Sequence, residues 1–323
     1  MRNKWSFVVG EQVDASESRG LSIGSSEIAS VLGVCPYRSP FQLWDEKTNG
    51  SSFTGNKYTK AGTFLEPAVV RFFEDATGAD IVPGFVDDIR FTHPVVKIAT
   101  ATPDRLYTRL REGELIRGIV ECKTTQINIT DENEVPPSWF CQAQYQAEVF
   151  NAYQTAHGGE LCEEITIAWL VRGLEFRYAH FEVDREFGAH LLERAVQFWQ
   201  DFVETGKAPD YETAEDVLTA YPKHTDGATV EATDETVQAY EQIVEIEQKI
   251  KALQEEAETI KDNFKKIMKD AEAVTYFGSV LATWKATKPT RRLDTKRLKA
   301  EAPEVYEQFL GEPKSSRRFL IKT

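Results

Sequence analysis

The sequence predicts an α/β fold, a mixed central sheet flanked by helices, followed by one long helix and a small α+β extension. Three observations carry this expectation. Residues 81–125 are rich in strand-type runs, "VVKIATATPD" and "LIRGIVECKTT", and segments of helical spacing stand on either side of them. A helix, a strand hairpin and another helix then follow, the order that places helices on both faces of a mixed sheet. Finally, Ile243, Ile246, Ile250, Leu253, Ala257, Ile260, Phe264, Ile267 and Ala271 alternate by threes and fours, a heptad pattern on a single long helix.

Each element has a local reason. "RGLSIGSSEIASVLGV", residues 19–34, reads as a turn and a short helix, with Ser25 or Ser26 as N-cap and Gly33 as stop. "SPFQLWDEKTNG" restarts a helix: Ser39 caps, Pro40 takes the first helical position and Gly50 closes it. A helix over 61–77 keeps Phe64, Leu65, Ala68, Val69, Phe72 and Phe73 at helical spacing, and Gly78 ends it. The two β runs are joined through "RLREGE", whose Glu-Gly pair suits a hairpin turn. A glutamine-rich helix starts near Pro137, a second hairpin turns near Gly173, and an amphipathic helix runs to about residue 205. Composition changes after Pro209. The expected domains are therefore 1–209, a polar acidic linker over 210–232, and 233–323, with the long helix near 234–272. Its tail holds a hairpin, a helix capped by Asp294 over "LDTKRLKAEAPEVYEQFL", and a last strand in "RRFLIKT".

Composition narrows the function classes. Of 323 residues, 41% are hydrophobic and 28% charged, the balance of a globular protein with a sizeable core. No run of about 18 apolar residues exists, so no membrane span is expected, and the N-terminus shows no signal-peptide pattern. The cysteines, Cys35, Cys122, Cys141 and Cys162, form no C-x-x-C pair and are expected as reduced thiols. The formal charge of −14 argues against loose coating of nucleic acid, but the charge is uneven. Residues 285–323 carry 11 Lys and Arg against 5 Asp and Glu, and the rest carries 27 against 47. An acidic bulk leaves room for a locally basic channel, because salt screens charges beyond about 10 Å.

The chemistry concentrates in "ATPDRLY" and "GIVECKT". Alternate residues of a strand share a face, so Glu121 and Lys123 project together while Val120, Cys122 and Thr124 face the other way. If the two β runs pair, Asp104 comes alongside. Such a cluster either faces solvent as an ion pair or faces a cation, since neighbouring carboxylates otherwise repel and one takes up a proton. Mg²⁺ prefers one or two carboxylates plus substrate phosphate, and a lysine beside it can hold a water. These parts suit metal-assisted hydrolysis of a phosphodiester.

"PD" at 103–104 with "ECK" at 121–123 resembles the PD-(D/E)xK nuclease motif, and hence a restriction-endonuclease-like core. Residues 19–205 as a whole resemble the lambda-exonuclease-like family, above all its YqaJ-type viral recombinase branch. The blocks "RGLSIGSSE", "GTFLEP", "ATPDRLY", "GIVECKT" and "WFCQAQYQAEV" carry the resemblance in order. It implies that Asp104, Glu121 and the backbone carbonyl of Cys122 ligate Mg²⁺, two ions in all and replaceable by Mn²⁺, with Glu66 joining from its helix. It implies that Lys123 positions the attacking water, and that Arg19, Ser26, Thr102 and Gln142 grip a terminal 5′-phosphate. Thr102 departs from the usual serine but keeps the hydroxyl. Among Gln142, Gln144 and Gln146 at least one is expected to be merely exposed.

The resemblance further implies a 5′→3′ exonuclease on double-stranded DNA ends, leaving 3′ single strands for an annealing protein or recombinase. It implies a homotrimer and a place in the bacterial cytoplasm as a phage or prophage protein. An endonuclease of the same superfamily is the first alternative. A binding or recombinase-loading module without chemistry, motivated by residues 230–323, is the second. The isolated cysteines argue against a Cas4-like iron–sulfur variant.

Overall fold

A computed structural model describes residues 5–12, 19–50, 55–83, 85, 89–288, 293–311 and 317–322. The chain divides into two compact units, Met1–Val217 and Leu218–Thr323. In the first, β1 (Glu11–Gln12) and β2 (Ile23–Gly24) precede the short α1 (Ile28–Val31), then α2 (Pro40–Asn49) and α3 (Lys57–Thr77). Strands β3 (Asp80–Ile81), β4 (Ile89–Thr92), β5 (Ala99–Ala101), β6 (Arg105–Arg111) and β7 (Glu114–Thr125) follow. Helix α4 (Pro137–His157) leads to β8 (Glu164–Val171), β9 (Glu175–Glu182) and α5 (Arg185–Phe198), and α6 (Ala214–Ala220) lies at the unit boundary.

The main sheet has the order β3-β6-β7-β8-β9. Only β7 and β8 run parallel in it, and α4 makes the crossover between them. Helix α3, strands β3, β6 and β7, α4 and parallel β8 together form the mixed α/β core that the sequence predicts. Helix α4 covers one face, with α5 packed on α4, and Leu106, Ile119, Ile165, Ile167 and Trp169 are buried in the larger core there. The opposite face packs Val120, Ala168 and Leu170 against Val69 and Phe73 of α3. A smaller sheet, β1-β4-β5-β2, stands beside it.

The expected cap of α2 is present in full. Ser39 Oγ accepts from the Gln42 amide, Pro40 opens the helix, and Gly50 closes it at φ +87°. Gly78 ends α3 in the left-handed region, where a Cβ is disfavoured. Other expectations change. The strand run "VVKIATA" does not pair with "GIVECKT": β5 belongs to the smaller sheet, and the partner of β7 is β6, within the stretch read as connector. The hairpin turn is nevertheless Glu112–Gly113, both at positive φ, as a two-residue turn of right twist requires. Helix α3 begins four residues early, because Asn56 accepts from the Tyr58 and Thr59 amides. Phe64 and Phe72 are exposed rather than core, and Val70 takes an inward place. Neither Ser25 nor Ser26 caps α1; Gly24 starts a 3₁₀ turn, Ser25–Glu27, whose cap is the Glu27 carboxylate on the Gly24 amide at 2.8 Å.

The segment expected as linker contains α6, and Asp216 there is fully buried, receiving Ser39 Oγ at 2.7 Å and the Glu212 and Thr213 amides at 3.0 Å each. The second unit holds α7 (Asp234–Met268), the hairpin β10 (Ala273–Tyr276) and β11 (Ser279–Thr283), α8 (Thr295–Glu301) and α9 (Pro303–Gln308). Asp294 caps α8 as expected. The single helix expected after it is broken at Ala302, whose backbone leaves the helical region before Pro303. Arg317–Lys322 form no strand. Among the described residues no helix is long and apolar enough to cross a membrane, and all four cysteines are free thiols.

Candidate active site

The β6–β7 ladder runs from Arg111↔Glu114 to Arg105↔Val120, which sets Asp104 opposite Glu121 just past the last rung. The Asp104 side chain then continues the ladder: its Oδ2 accepts from the Cys122 amide at 2.7 Å. Glu121 and Lys123 share a face, as the period-two argument predicts, and turn toward α4. Lys123 Nζ donates to Glu121 Oε1 at 2.7 Å and to Gln142 Oε1 at 2.8 Å, and Gln142 Nε2 donates to the same Glu121 oxygen at 2.6 Å. Gln146, one helical turn on, donates to Glu121 Oε2 at 2.7 Å. The acid–lysine pair is thus locked from above by two glutamines at i and i+4 of α4.

Glu66 approaches from α3. It lines, with Gly62, Val69, Asp104, Glu121, Cys122, Lys123 and Thr124, a cavity of about 90 Å³ at the end of β7. Its Oε1 lies 3.2 Å from the Arg105 guanidinium. Burial, then the charges of Glu121 and Glu66, hold the Asp104 carboxyl well above the usual carboxylate range. Burial works against the Lys123 ammonium, but Glu121 beside it outweighs burial and raises its pKa. Burial pushes the Cys122 thiol well up, with Asp104 adding to it, so this thiol is no nucleophile.

Does this donor set fit a cation? Among the described residues no three His, Cys, Asp or Glu side chains converge at metal-ligating spacing. Yet packing Asp104 among carboxylates costs free energy that a cation would relieve, as its raised pKa records. The donors are oxygens, the preference of a hard divalent ion. Asp104, Glu121 and the Cys122 carbonyl offer such oxygens, with both Glu121 oxygens shared with Lys123, Gln142 and Gln146; Glu66 reaches the same cavity and spends one oxygen on Arg105.

The residues expected to grip a phosphate are placed unevenly. Gln142 sits inside the acid–lysine cluster itself. Thr102 is half-buried in the loop two residues before Asp104, and its carbonyl faces Gln146 Nε2 at 3.5 Å. Ser26 is exposed on the 3₁₀ turn. The side chain of Arg19 lies outside the described residues. The turn is tied to the rest: Tyr145 of α4 donates to the Ile23 carbonyl at 3.3 Å, and Gly24 pairs with Thr100 of β5.

None of the three glutamines is merely exposed. Gln144 is buried and bonds the Glu182 carbonyl and the Asp184 amide. Gln146 is the residue that sequence reasoning missed, although its spacing from Gln142 was the available signal. Among the described residues its buried Oε1 has no hydrogen-bond partner. Also unforeseen is Lys47, almost fully buried, which donates to both Glu27 oxygens at 2.7 Å and so fixes the turn that bears Ser26.

Residues 16–155 match the family model of the YqaJ-like viral recombinase domain. The chain is 29% identical over 314 residues to the protein YqaJ of Bacillus subtilis (strain 168), covering 94% of this chain and 92% of the relative. Among solved structures it is similar to an alkaline exonuclease, LHK-Exo, from Laribacter hongkongensis, at 17% identity and a TM-score of 0.42, over 59% of this chain and 92% of that one. A phage-related exonuclease from Haemophilus somnus 129PT is similar at 14% identity and a TM-score of 0.40, over 57% and 94%.

Proposed function

Starting from a chain whose residues 16–155 match the YqaJ-like viral recombinase domain, we propose that it is a metal-dependent exonuclease acting on double-stranded DNA. It removes nucleotides from 5′ ends and leaves 3′ single strands for an annealing protein or recombinase, in the cytoplasm of a bacterial cell carrying a phage or prophage. The observation that carries this reading is the ladder end at β6–β7, where Asp104, Glu121 and Lys123 meet one cavity and α4 holds the pair in place.

Asp104, Glu121 and the Cys122 carbonyl are the groups for Mg²⁺, with Mn²⁺ able to replace it, and Glu66 stands beside them. Bound there, the ion supplies Lewis-acid chemistry, making water more acidic and stabilising charge at phosphorus. The protein's own residues do the rest. Lys123 has three N–H donors, two of them engaged by Glu121 and Gln142, which leaves one for a water. Gln142 fixes that ammonium, and Gln146 fixes the carboxylate plane of Glu121. The exposed Ser26 and the nearby Thr102 supply hydroxyls for the terminal phosphate, together with Arg19.

The test uses purified protein with Mg²⁺, a linear duplex carrying a 5′-phosphate and a label at one end, and a closed circle. Release of nucleotides from phosphorylated 5′ ends, an intact circle and an inert Lys123→Ala variant support the reading. Cutting of the circle turns it into an endonuclease with the same centre. No cleavage with Mg²⁺ or Mn²⁺ overturns it.

A further inference from the structure

The nuclease reading makes no use of α7. Its 35 residues span about 50 Å at 1.5 Å per residue. The heptad frame runs without interruption from Ile243 to Ile267, with Ile243, Ile250, Ala257 and Phe264 at one core position and Ile246, Leu253, Ile260 and Ile267 at the other. A repeat of 3.5 keeps one seam in line only if the helix winds around another helix, because a lone α-helix drifts about 20° per heptad. Among the described residues, the rest of its own unit leaves that seam open. Ile246, Ile250, Leu253 and Ile260 are 48–64% exposed, a contiguous apolar stripe of the kind that marks an interaction site.

The flanking charges say what covers it. In a parallel, in-register pair of identical helices, each residue just before a first-core position faces the residue five further along on the other helix. The facing pairs are then Gln242 with Glu247, Lys249 with Gln254, Glu256 with Lys261, and Asn263 with Met268. No pair brings like charges together, and Glu256 with Lys261 attracts twice. An antiparallel pair at full overlap also gains Glu247 opposite Lys261, but it sets Glu256 against Glu256 at its centre. Ile at both core positions suits parallel bundles that admit a third or fourth strand as well as a second.

We infer that α7 is a homotypic coiled-coil element, which joins to the α7 of a second copy of this chain, parallel and in register. The inference goes beyond the nuclease reading and does not depend on it. Within one chain Lys261 also reaches Glu258 at 2.6 Å, on the helix flank, so it serves both partners.

The experiment reads covalent capture, not activity, in the full-length chain. Leu253→Cys puts a thiol in the seam and Gln248→Cys puts one on the outer face of the same helix. The four native cysteines all lie in the first unit, so the parent protein gives the background. Under mild oxidation Leu253→Cys forms an inter-chain disulfide well above the parent, and Gln248→Cys does not. Glu256→Lys and Lys261→Glu, each added to Leu253→Cys, lower the captured fraction at low salt, and the two together restore it. Lys261→Glu loses the Glu258 pair in both the single and the double variant, so restoration isolates the contact between helices. Capture at Leu253 no greater than in the parent overturns the inference. So does a double swap no better than either single, the result expected for antiparallel helices or another protein on the seam.

Discussion

Replacing Lys47 with Met tests how the surface turn bearing Ser26 is held. The Lys47 side chain is 2% exposed and that of Glu27 11%, and the ammonium donates to both carboxylate oxygens at 2.7 Å. Burial depresses the Lys47 pKa, against the pull of Glu27, so the charge is kept at a cost. Met matches the chain's volume but leaves Glu27 enclosed with, among the described residues, the Gly24 amide as its remaining partner. Removing one member of a buried pair costs about 3–5 kcal/mol. That is a fifth or more of a stability that is typically about 5–15 kcal/mol. With a urea slope of about 2–3 kcal/mol/M, the midpoint falls by about 1–2.5 M. Adding Glu27→Gln removes the stranded charge and keeps a carbonyl for the Gly24 amide, and should recover at least half of the loss. Urea titrations by circular dichroism at neutral pH measure both variants. A single-variant cost below about 1 kcal/mol, the range of an exposed pair, refutes the reasoning. So does a double variant as unstable as the single.

Further outcomes follow from other contacts. Gln146→Leu removes the donor to Glu121 Oε2 and, with it, a buried Oε1 that has no partner. On the proposed reading, in which Glu121 holds the ion, nuclease kcat should fall about 10–100-fold, while the melting temperature holds or rises; a fall in both would make Gln146 a packing residue only. Gly118→Ala would put a Cβ 2.2 Å from Tyr107 Cζ, whose hydroxyl is pinned by Glu164 and Thr166 at 2.7 Å each. It should cost about 1–3 kcal/mol in urea unfolding, the range for overpacking. Burial works against the Glu164 carboxylate, but hydrogen bonds from Arg109 and Tyr107 outweigh it and hold its pKa below the ordinary 4.5. A depressed carboxylate stabilises above its unfolded pKa and stops doing so as pH falls through its folded one. The stability gap between the parent and Glu164→Gln should therefore be constant above about pH 5 and close below pH 4.5; a gap unchanged at pH 3 refutes it.

Local signals with short-range causes were legible in the sequence. Ser39, Gly50, Gly78, Gly113 and Asp294 act through their own few neighbours, and each stands where its chemistry predicts. The shared face of Glu121 and Lys123 follows from strand period alone. Strand partnership did not follow. "VVKIATA" and "RLYTRLR" both suit a strand, and only the packing of two separate sheets decides which lies against β7. Gln146 escaped for a related reason: glutamine on a helix is usually solvated, and the carboxylate that buries this one comes from a strand 25 residues earlier. Lys47 and Asp216 are likewise charged residues whose burial depends on partners distant in the chain, Glu27 and Ser39.

The Asp104 carboxylate occupies the place where the next backbone group of β6 would have bonded to Cys122. The spacing between the two acids is thus set by the gauge of the sheet itself, and that gauge is zeroed at the far end, at Glu112–Gly113. One residue added to this exposed two-residue turn threatens every rung up to Arg105↔Val120. It would carry Glu121 and Lys123 to the α3 side and leave Asp104 facing the wrong amide. A surface loop that touches none of the reacting groups would then tolerate substitution but not a change in length.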